Sequence, residues 1–433
     1  MRMAEMIELD GAPAAQATRV GRVRWTICGL LFFATAINYV DRQMIAVLKP
    51  TLQDEFGWTE TTYADIVFAF QAAYALGYIV FGRLIDKLGA RFGYSLAAVI
   101  WGLAAMATSA ARDIPHFLMA RFMLGLGESG NFPAGIKAVA EWFPKKERAF
   151  AVGIFNAGAN IGAIITPIIA PILVFNFGWR AAFLVTGALV FVWLAVWLIV
   201  YRRPREKANL SAAELAYIES DPADPPGDVA WLPLLKRRQT WAYALGKFMI
   251  DPIWWFFLFW LPDFFAREHG LNLLTFGPPL VAIYLISDAG SVAGGWLSSK
   301  LIAQGKTINF ARKIAMLVCG LAVLPVMLAP GIASVWGAVL VIGLATAAHQ
   351  GFSANLYTLP SDLFPRKVVG AVIGIGGTMG AIGGMLMAKF TGWVLDTTGT
   401  YWPMFAVAGF AYLGALLVIH LLVPQMEEAK DIA

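Results

Sequence analysis

Charge is scarce in this 433-residue chain: Asp, Glu, Lys and Arg make up 14% of it, against roughly 25% in an average soluble domain. So few charges cannot clothe a body that is 59% hydrophobic, which argues against one large soluble core. Cysteine is nearly missing. Cys28 and Cys319 lie far apart in apolar segments, so no disulfide framework or zinc-binding spacing is available. No GxSxG, HExxH or phosphate-cradling P-loop occurs, and no acid pair sits in a hydrolase setting. Metal ligands, cofactors and redox chemistry are therefore not expected, and a membrane-embedded enzyme is disfavoured. The polar leader Met1–Gly21 has no apolar stretch ahead of its small residues, so no cleavable signal peptide is expected.

Long apolar runs are plentiful. Trp179–Val200 and Phe310–Leu328 each match the roughly 20 residues needed to cross a bilayer. By that criterion about twelve spans fall at 25–48, 61–86, 92–110, 114–141, 147–175, 179–201, 240–266, 276–302, 310–330, 333–362, 367–395 and 400–424. The expected class is an all-α membrane protein.

Basic residues sort onto alternate connections: Arg22 and Arg24, Lys87 and Arg91, Lys145 and Arg148, Arg202 to Arg238, Lys300 to Lys313, then Arg366 and Lys367. The other connections are acidic or near neutral, as in Glu55 with Glu60 and Asp263 with Arg267. The positive-inside rule then puts both termini and the central loop in the cytoplasm. That loop, 202–238, contains the turn-forming run Asp221-Pro222-Ala223-Asp224-Pro225-Pro226-Gly227. Ser211-Ala212-Ala213-Glu214 resembles a capping box that opens a short surface helix. The loop divides 1–201 from 239–433, six spans in each.

The two parts repeat. Phe143-Pro144-Lys145-Lys146 recurs as Phe364-Pro365-Arg366-Lys367, and at the same offset Gly153-Ile154 falls on Gly374-Ile375 and Ile161-Gly162 on Ile382-Gly383. Two parallel six-helix bundles with a site at their midplane interface are a transporter architecture. The glycine run 374–384 suggests small-residue surfaces for rocking of the bundles.

A few ionisable residues lie inside the spans, where they are costly and usually functional. Asp41 and Arg42 are adjacent in the first, so they point about 100° apart. Arg121 and Glu128 share a face of the fourth, about 10.5 Å apart. Each therefore needs a partner elsewhere, and Asp41 with Arg42 supplies candidates. Asn38 and Tyr39 share the face of Arg42, and Asn131 lies one turn beyond Glu128. A static salt-bridge network fits the same letters.

Gly82-Arg83-Leu84-Ile85-Asp86-Lys87-Leu88-Gly89-Ala90-Arg91 resembles the signature loop of the major facilitator superfamily. The second-half counterpart keeps Gly295 and Lys300 but has Ser299 where the acid would fall. Asn38-Tyr39-Val40-Asp41-Arg42, Tyr74-Ala75-Leu76-Gly77, Arg121 to Glu128 and Asn131-Phe132-Pro133-Ala134 resemble the anion:cation symporter family over nearly the whole chain. Lys247 to Trp255 and His349 to Asn355 resemble bacterial hexuronate permeases. That likeness implies a twelve-helix major facilitator fold and proton-coupled import of a monocarboxylic sugar acid, such as galacturonate or glucuronate, by alternating access. It implies a bacterial inner (plasma) membrane, a small organic anion and the lipid bilayer as partners, no nucleic acid, and a monomer. Protons are the coupling ion, and no cofactor is implied.

By the same resemblance, Asp41 and Glu128 carry protons, while Arg42 and Arg121 capture the substrate carboxylate. Tyr39, Tyr74, Asn156, Asn160, Gln350, Ser353 and Asn355 are candidates for hydroxyl recognition, and each could equally serve packing. Lys247 and Asp251 form an i,i+4 pair, either at the substrate or as a fixed salt bridge. Trp254 and Trp255 could stack on a sugar ring or form an aromatic wall. His349 could relay a proton or be a neutral core histidine. Other organic anions (galactonate, glucarate, aromatic acids) remain alternatives. A phosphate-ester exchanger would use one arginine in each half, and the seventh span has Lys247 and no arginine. A channel or non-transporting sensor fits coupled acid and base groups less well. Uptake into proteoliposomes separates these readings.

Overall fold

A computed structural model describes residues 21–221, 231–427 and 429. Among these residues, eleven helices are long and apolar enough to cross a membrane. The first part contains α1 (Val23–Val47), α2 (Glu60–Ile85), α3 (Lys87–Thr108), α4 (Ile114–Glu128), α5 (Asn131–Trp142), α6 (Lys145–Phe177) and α7 (Trp179–Val200). A surface helix α8 (Ala212–Ile218) follows. The second part contains α9 (Arg238–His269), α10 (Gly277–Ala303), α11 (Ile308–Val323), α12 (Val335–Leu356), α13 (Arg366–Thr398) and α14 (Trp402–Leu422). Exposed apolar residues such as Phe33, Met119, Val192, Val292 and Leu417 cover the outer faces of these helices, as lipid contact requires.

The fourth span was expected as one helix over 114–141, but the structure makes it from α4 and α5. Just after Glu128, the Ser129 hydroxyl donates to the Leu126 carbonyl at 2.6 Å, and the Gly130 N–H reaches only to Gly127, at 3.2 Å. A side chain that competes for backbone carbonyls loosens a helix at that turn. The ninth span tightens into a 3-10 helix over Leu324–Gly331, where Pro325 and Pro330 lack N–H donors. A short helix Lys49–Phe56 extends the first span beyond its expected end.

Repeated letters become repeated helix entries. Pro144 and Pro365 stand at the N-caps of α6 and α13, with φ of −63° and −57°, values that proline adopts without strain. In the signature loop, Gly89 has φ +80°, a backbone that a side chain would strain. That break, in the first turn of α3, is where the chain leaves the direction of α2. Arg91 then donates to the Leu198 carbonyl of α7 at 2.7 Å. Gly82 is half-buried and Lys87 exposed. The side chain of Asp86 lies outside the described structure.

The capping box forms only by half. Ser211 accepts from the Glu214 N–H at 3.2 Å. The Glu214 carboxylate instead accepts from the N–H groups of Val23 and Arg24, each at 3.2 Å. An anion at a helix N-terminus is favourable, so the start of the central loop is pinned to α1. The turn-forming run beyond Asp221 lies outside the described residues.

The run Gly374–Gly384 packs mainly inside the second part. Gly376 lies against Tyr243, Gly380 against Asp251 and Gly383 against Phe248, all of α9; Gly384 alone of these lies against Gln71 of the first part.

Candidate substrate-binding and coupling site

One turn of α1 and the end of α4 build the centre of the site. Arg42 Nε lies 2.9 Å from Glu128 Oε2, and the two side chains are 2% and 0% exposed. Asn38 Oδ1, one helical turn earlier, accepts from Arg42 at 3.0 Å. Four rings surround the guanidinium, at 4.5 Å for Tyr39, 4.9 Å for Tyr74, 5.2 Å for Trp255 and 5.4 Å for Phe70. Trp255 belongs to the second half, so this cation sits on the interface between halves. Glu128 Oε1 has no hydrogen-bond partner among the described residues. Gly125 makes the approach possible, because a Cβ there would collide with the Phe70 carbonyl of α2.

Asp41 and Arg121 take other directions. Asp41 Oδ2 accepts from the Trp101 indole of α3 at 2.7 Å, away from Arg42, as the 100° step between neighbours dictates. Arg121 donates to the backbone carbonyls of Asp41 at 3.3 Å and Arg42 at 3.1 Å. It thereby fastens α4 to the turn of α1 that carries both residues. Asn131 is also turned away, accepting from the Tyr94 hydroxyl and donating to Thr35 at 3.2 Å.

In the second half, Lys247 Nζ lies 2.7 Å from Asp251 Oδ2 and 2.7 Å from the Tyr357 hydroxyl. Trp254 stacks on His349 with ring centres 5.2 Å apart and planes 10° from parallel. His349 Nδ1 in turn shares a 2.8 Å hydrogen bond with the Tyr412 hydroxyl. Trp255 stacks on Phe259 and turns an edge to Tyr74. Asn355 is fully buried and donates to the carbonyls of Gly294 at 3.0 Å and Gly351 at 2.9 Å. Its amide N–H2 tethers α12 to α10, and its Oδ1 has no partner among the described residues. Gln350 is half-buried and Ser353 buried.

Polar contacts between the halves run from this level toward the end opposite the basic loops. Asn160 donates to Asp288, and Gln43 donates to the Tyr284 hydroxyl at 2.6 Å. Farther along, Lys49 Nζ lies 2.6 Å from Glu60 and 2.9 Å from Asp263. Arg267 pairs with Asp263 at 2.8 Å and also with Glu60. Asp396 of α13 accepts from the first N–H groups of α2, Glu60 at 3.0 Å and Thr61 at 2.7 Å. Toward the basic end, Asn156 and Tyr357 are exposed. The halves are thus locked at one end and part toward the other.

Sequence reasoning missed this lock, although Glu60, Asp263 and Arg267 were visible as loop charges. Nothing in the linear order pairs them across halves. It also missed Asp288, which the cost of an acid inside the 276–302 span should have exposed.

Two helical bundles, joined at a charged midplane and locked at one end, define a membrane transporter. The Major Facilitator Superfamily model matches residues 31–388, and the chain belongs to that family. It is 33% identical to the hexuronate transporter of Escherichia coli K12 over 425 residues, covering 95% of this chain and 98% of that one. It is 35% identical to the galacturonate transporter of Dickeya chrysanthemi over 285 residues, covering 64% of this chain and 82% of that one. Among solved structures it resembles a bacterial homolog of the human lysosomal transporter Spinster, with TM-score 0.67, 18% identity and coverage of 93% and 96%. That likeness concerns the fold. The chain is a multi-pass membrane transporter and not an enzyme.

Proposed function

We propose that this transporter is a proton-coupled symporter that imports a hexuronate, galacturonate or glucuronate, by alternating access. In this reading it works as a monomer in a bacterial inner membrane, with the basic end and both termini in the cytoplasm. The relatives named hexuronate and galacturonate transporters support the substrate class. The loop charges support the orientation.

The buried Arg42–Glu128 pair carries the mechanism. A substrate carboxylate needs Arg42, and Glu128 already occupies it. A proton on Glu128 removes the competing charge and frees the guanidinium for a bidentate contact with the substrate. Releasing substrate and proton together restores the pair. Neither an empty, unpaired Arg42 nor a charged, unpaired Glu128 is tolerable at this depth. Binding and protonation are therefore linked, which is the requirement for symport. Arg121 and Asn38 hold Arg42 in position, and Tyr39, Tyr74 and Trp255 wall the guanidinium where the sugar acid would dock. Asp41, bonded to Trp101 of α3, is a second proton site.

Uptake of labelled galacturonate by proteoliposomes tests the proposal. An inward proton gradient should drive accumulation without ATP. No response to the gradient with either hexuronate would remove the symport reading.

A further inference from the structure

Asp288 is a membrane-depth acid with no part in the coupling just described. It lies on α10, is half-buried, and accepts a hydrogen bond from Asn160 of α6, across the two halves. Tyr284, one turn before it on the same face, receives Gln43, the neighbour of Arg42 in sequence. Beyond Asp288 the same face of α10 continues with Ser291, exposed, and Gly295, half-buried; opposite it α6 continues with Asn156 and Gly153, both exposed. Two polar, small-residue stripes thus touch at Asp288–Asn160 and part toward the basic end. An acid here carries a desolvation cost that a neutral amide would avoid. A protein that binds an anion has a further reason to avoid it, since it repels the cargo.

We propose that Asp288 selects substrates with a single carboxylate, by accepting hydroxyl hydrogens from the uncharged end of the sugar acid and repelling a second carboxylate. Arg42 attracts the one carboxylate and Asp288 rejects it, so the two groups fix the direction in which the substrate lies. A carboxylate is the strongest acceptor available to neighbouring hydroxyls and can take two at once. A sugar diacid would place its second charge against Asp288, and discrimination by an unfavourable contact follows. Asn160 holds Asp288 while no substrate does so.

This inference rests on the sugar-acid reading above, and the experiment separates the two. Labelled galacturonate uptake is competed by unlabelled galacturonate or glucarate in proteoliposomes of wild type, Asp288→Asn, Asp288→Glu and Asn160→Ala. In wild type, glucarate should compete about tenfold or more weakly than galacturonate, the scale of one hydrogen bond to a charged group. Asp288→Asn should shrink that ratio about tenfold and weaken galacturonate itself. Asp288→Glu and Asn160→Ala should keep the preference for the monoacid. Saturable galacturonate counterflow identifies a folded Asp288→Asn protein. An unchanged ratio in that folded variant, or a wild type that prefers glucarate, overturns the inference while leaving sugar-acid transport standing. A wild type that moves neither acid overturns both.

Discussion

The two halves each bury a cation–carboxylate pair near mid-membrane, and the pairs are built differently. Lys247 and Asp251 stand one turn apart on a single helix, α9. The helix by itself brings them within reach of each other, and Tyr357 adds a second contact to Lys247. Arg42 and Glu128 lie on different helices, α1 and α4. They meet only because Gly125 lets α4 approach α2 closely and Arg121 ties α4 to the backbone of α1. A local pair is a fixed feature. A pair between helices can open when one member gains a proton or a competitor arrives. Under the proposed symport mechanism, this difference assigns coupling to the first half and a wall to the second.

The largest effect should come from Arg42. Replacing it with alanine leaves Glu128 buried without its partner, a change on the order of 2–5 kcal/mol. Galacturonate affinity should fall roughly 30-fold or more, read as the Kd from tryptophan quenching. Glu128→Gln should act differently, keeping counterflow and losing gradient-driven accumulation. Wild-type accumulation in that variant would clear Glu128 of coupling.

Breaking the local pair should matter less. Lys247→Ala is expected to weaken galacturonate about tenfold while the response to a proton gradient remains. Loss of gradient response with intact binding would show that the second half couples too, and the contrast would collapse.

The lock at the end opposite the basic loops tests whether the halves move. Asp263→Asn removes a carboxylate that meets Lys49, Arg267 and Tyr401. A cysteine at Ala64, buried at that end against Gly392 of the other half, should label about three- to tenfold faster in the variant, since a population shift of about 1 kcal/mol is fivefold. Equal labelling rates would mean that the quartet does not set the closed state.

The smallest effect belongs to the central loop. Arg205 pairs with Glu219 at 2.6 Å in full contact with water, and holds the Glu219 carboxyl below its usual range. The pair therefore contributes at neutral pH and fades as pH falls through the carboxylate range. Water screens such a pair, so Arg205→Ala should leave the melting temperature unchanged at either pH. A clear drop would make the loop a clamp instead of a tether.

Much of this was legible in the letters. Apolar length gave the spans, and alternate basic loops gave a consistent threading. The Phe-Pro-x-Lys repeats marked equivalent helix entries, and the helical period showed that Arg42 shares a face with Asn38 and Tyr39 and that Asp41 points elsewhere. The break after Glu128 was not legible, because Ser129 and Gly130 are tolerated inside many helices and only the competition at Leu126 decides. Asn355 is a candidate for the substrate by its letters; its amide N–H2 donates to Gly294 of α10 and Gly351 of its own helix, while its Oδ1 has no partner among the described residues. A polar residue in an apolar helix signals that some partner exists, and does not say whether the partner is a ligand or a peptide group.

The sequence by itself determined a twelve-crossing transporter with a few buried charges, because hydrocarbon leaves a chain little choice of secondary structure. Tertiary structure alone decided which charges meet. Arg42 takes Glu128, Arg121 takes the backbone of α1, Asp41 takes Trp101, and Lys49 joins Asp263 across the halves. The reason is range: a helix fixes direction over one or two turns, whereas a hydrogen bond requires contact within about 3 Å, and only the packing of helices distant in sequence supplies that.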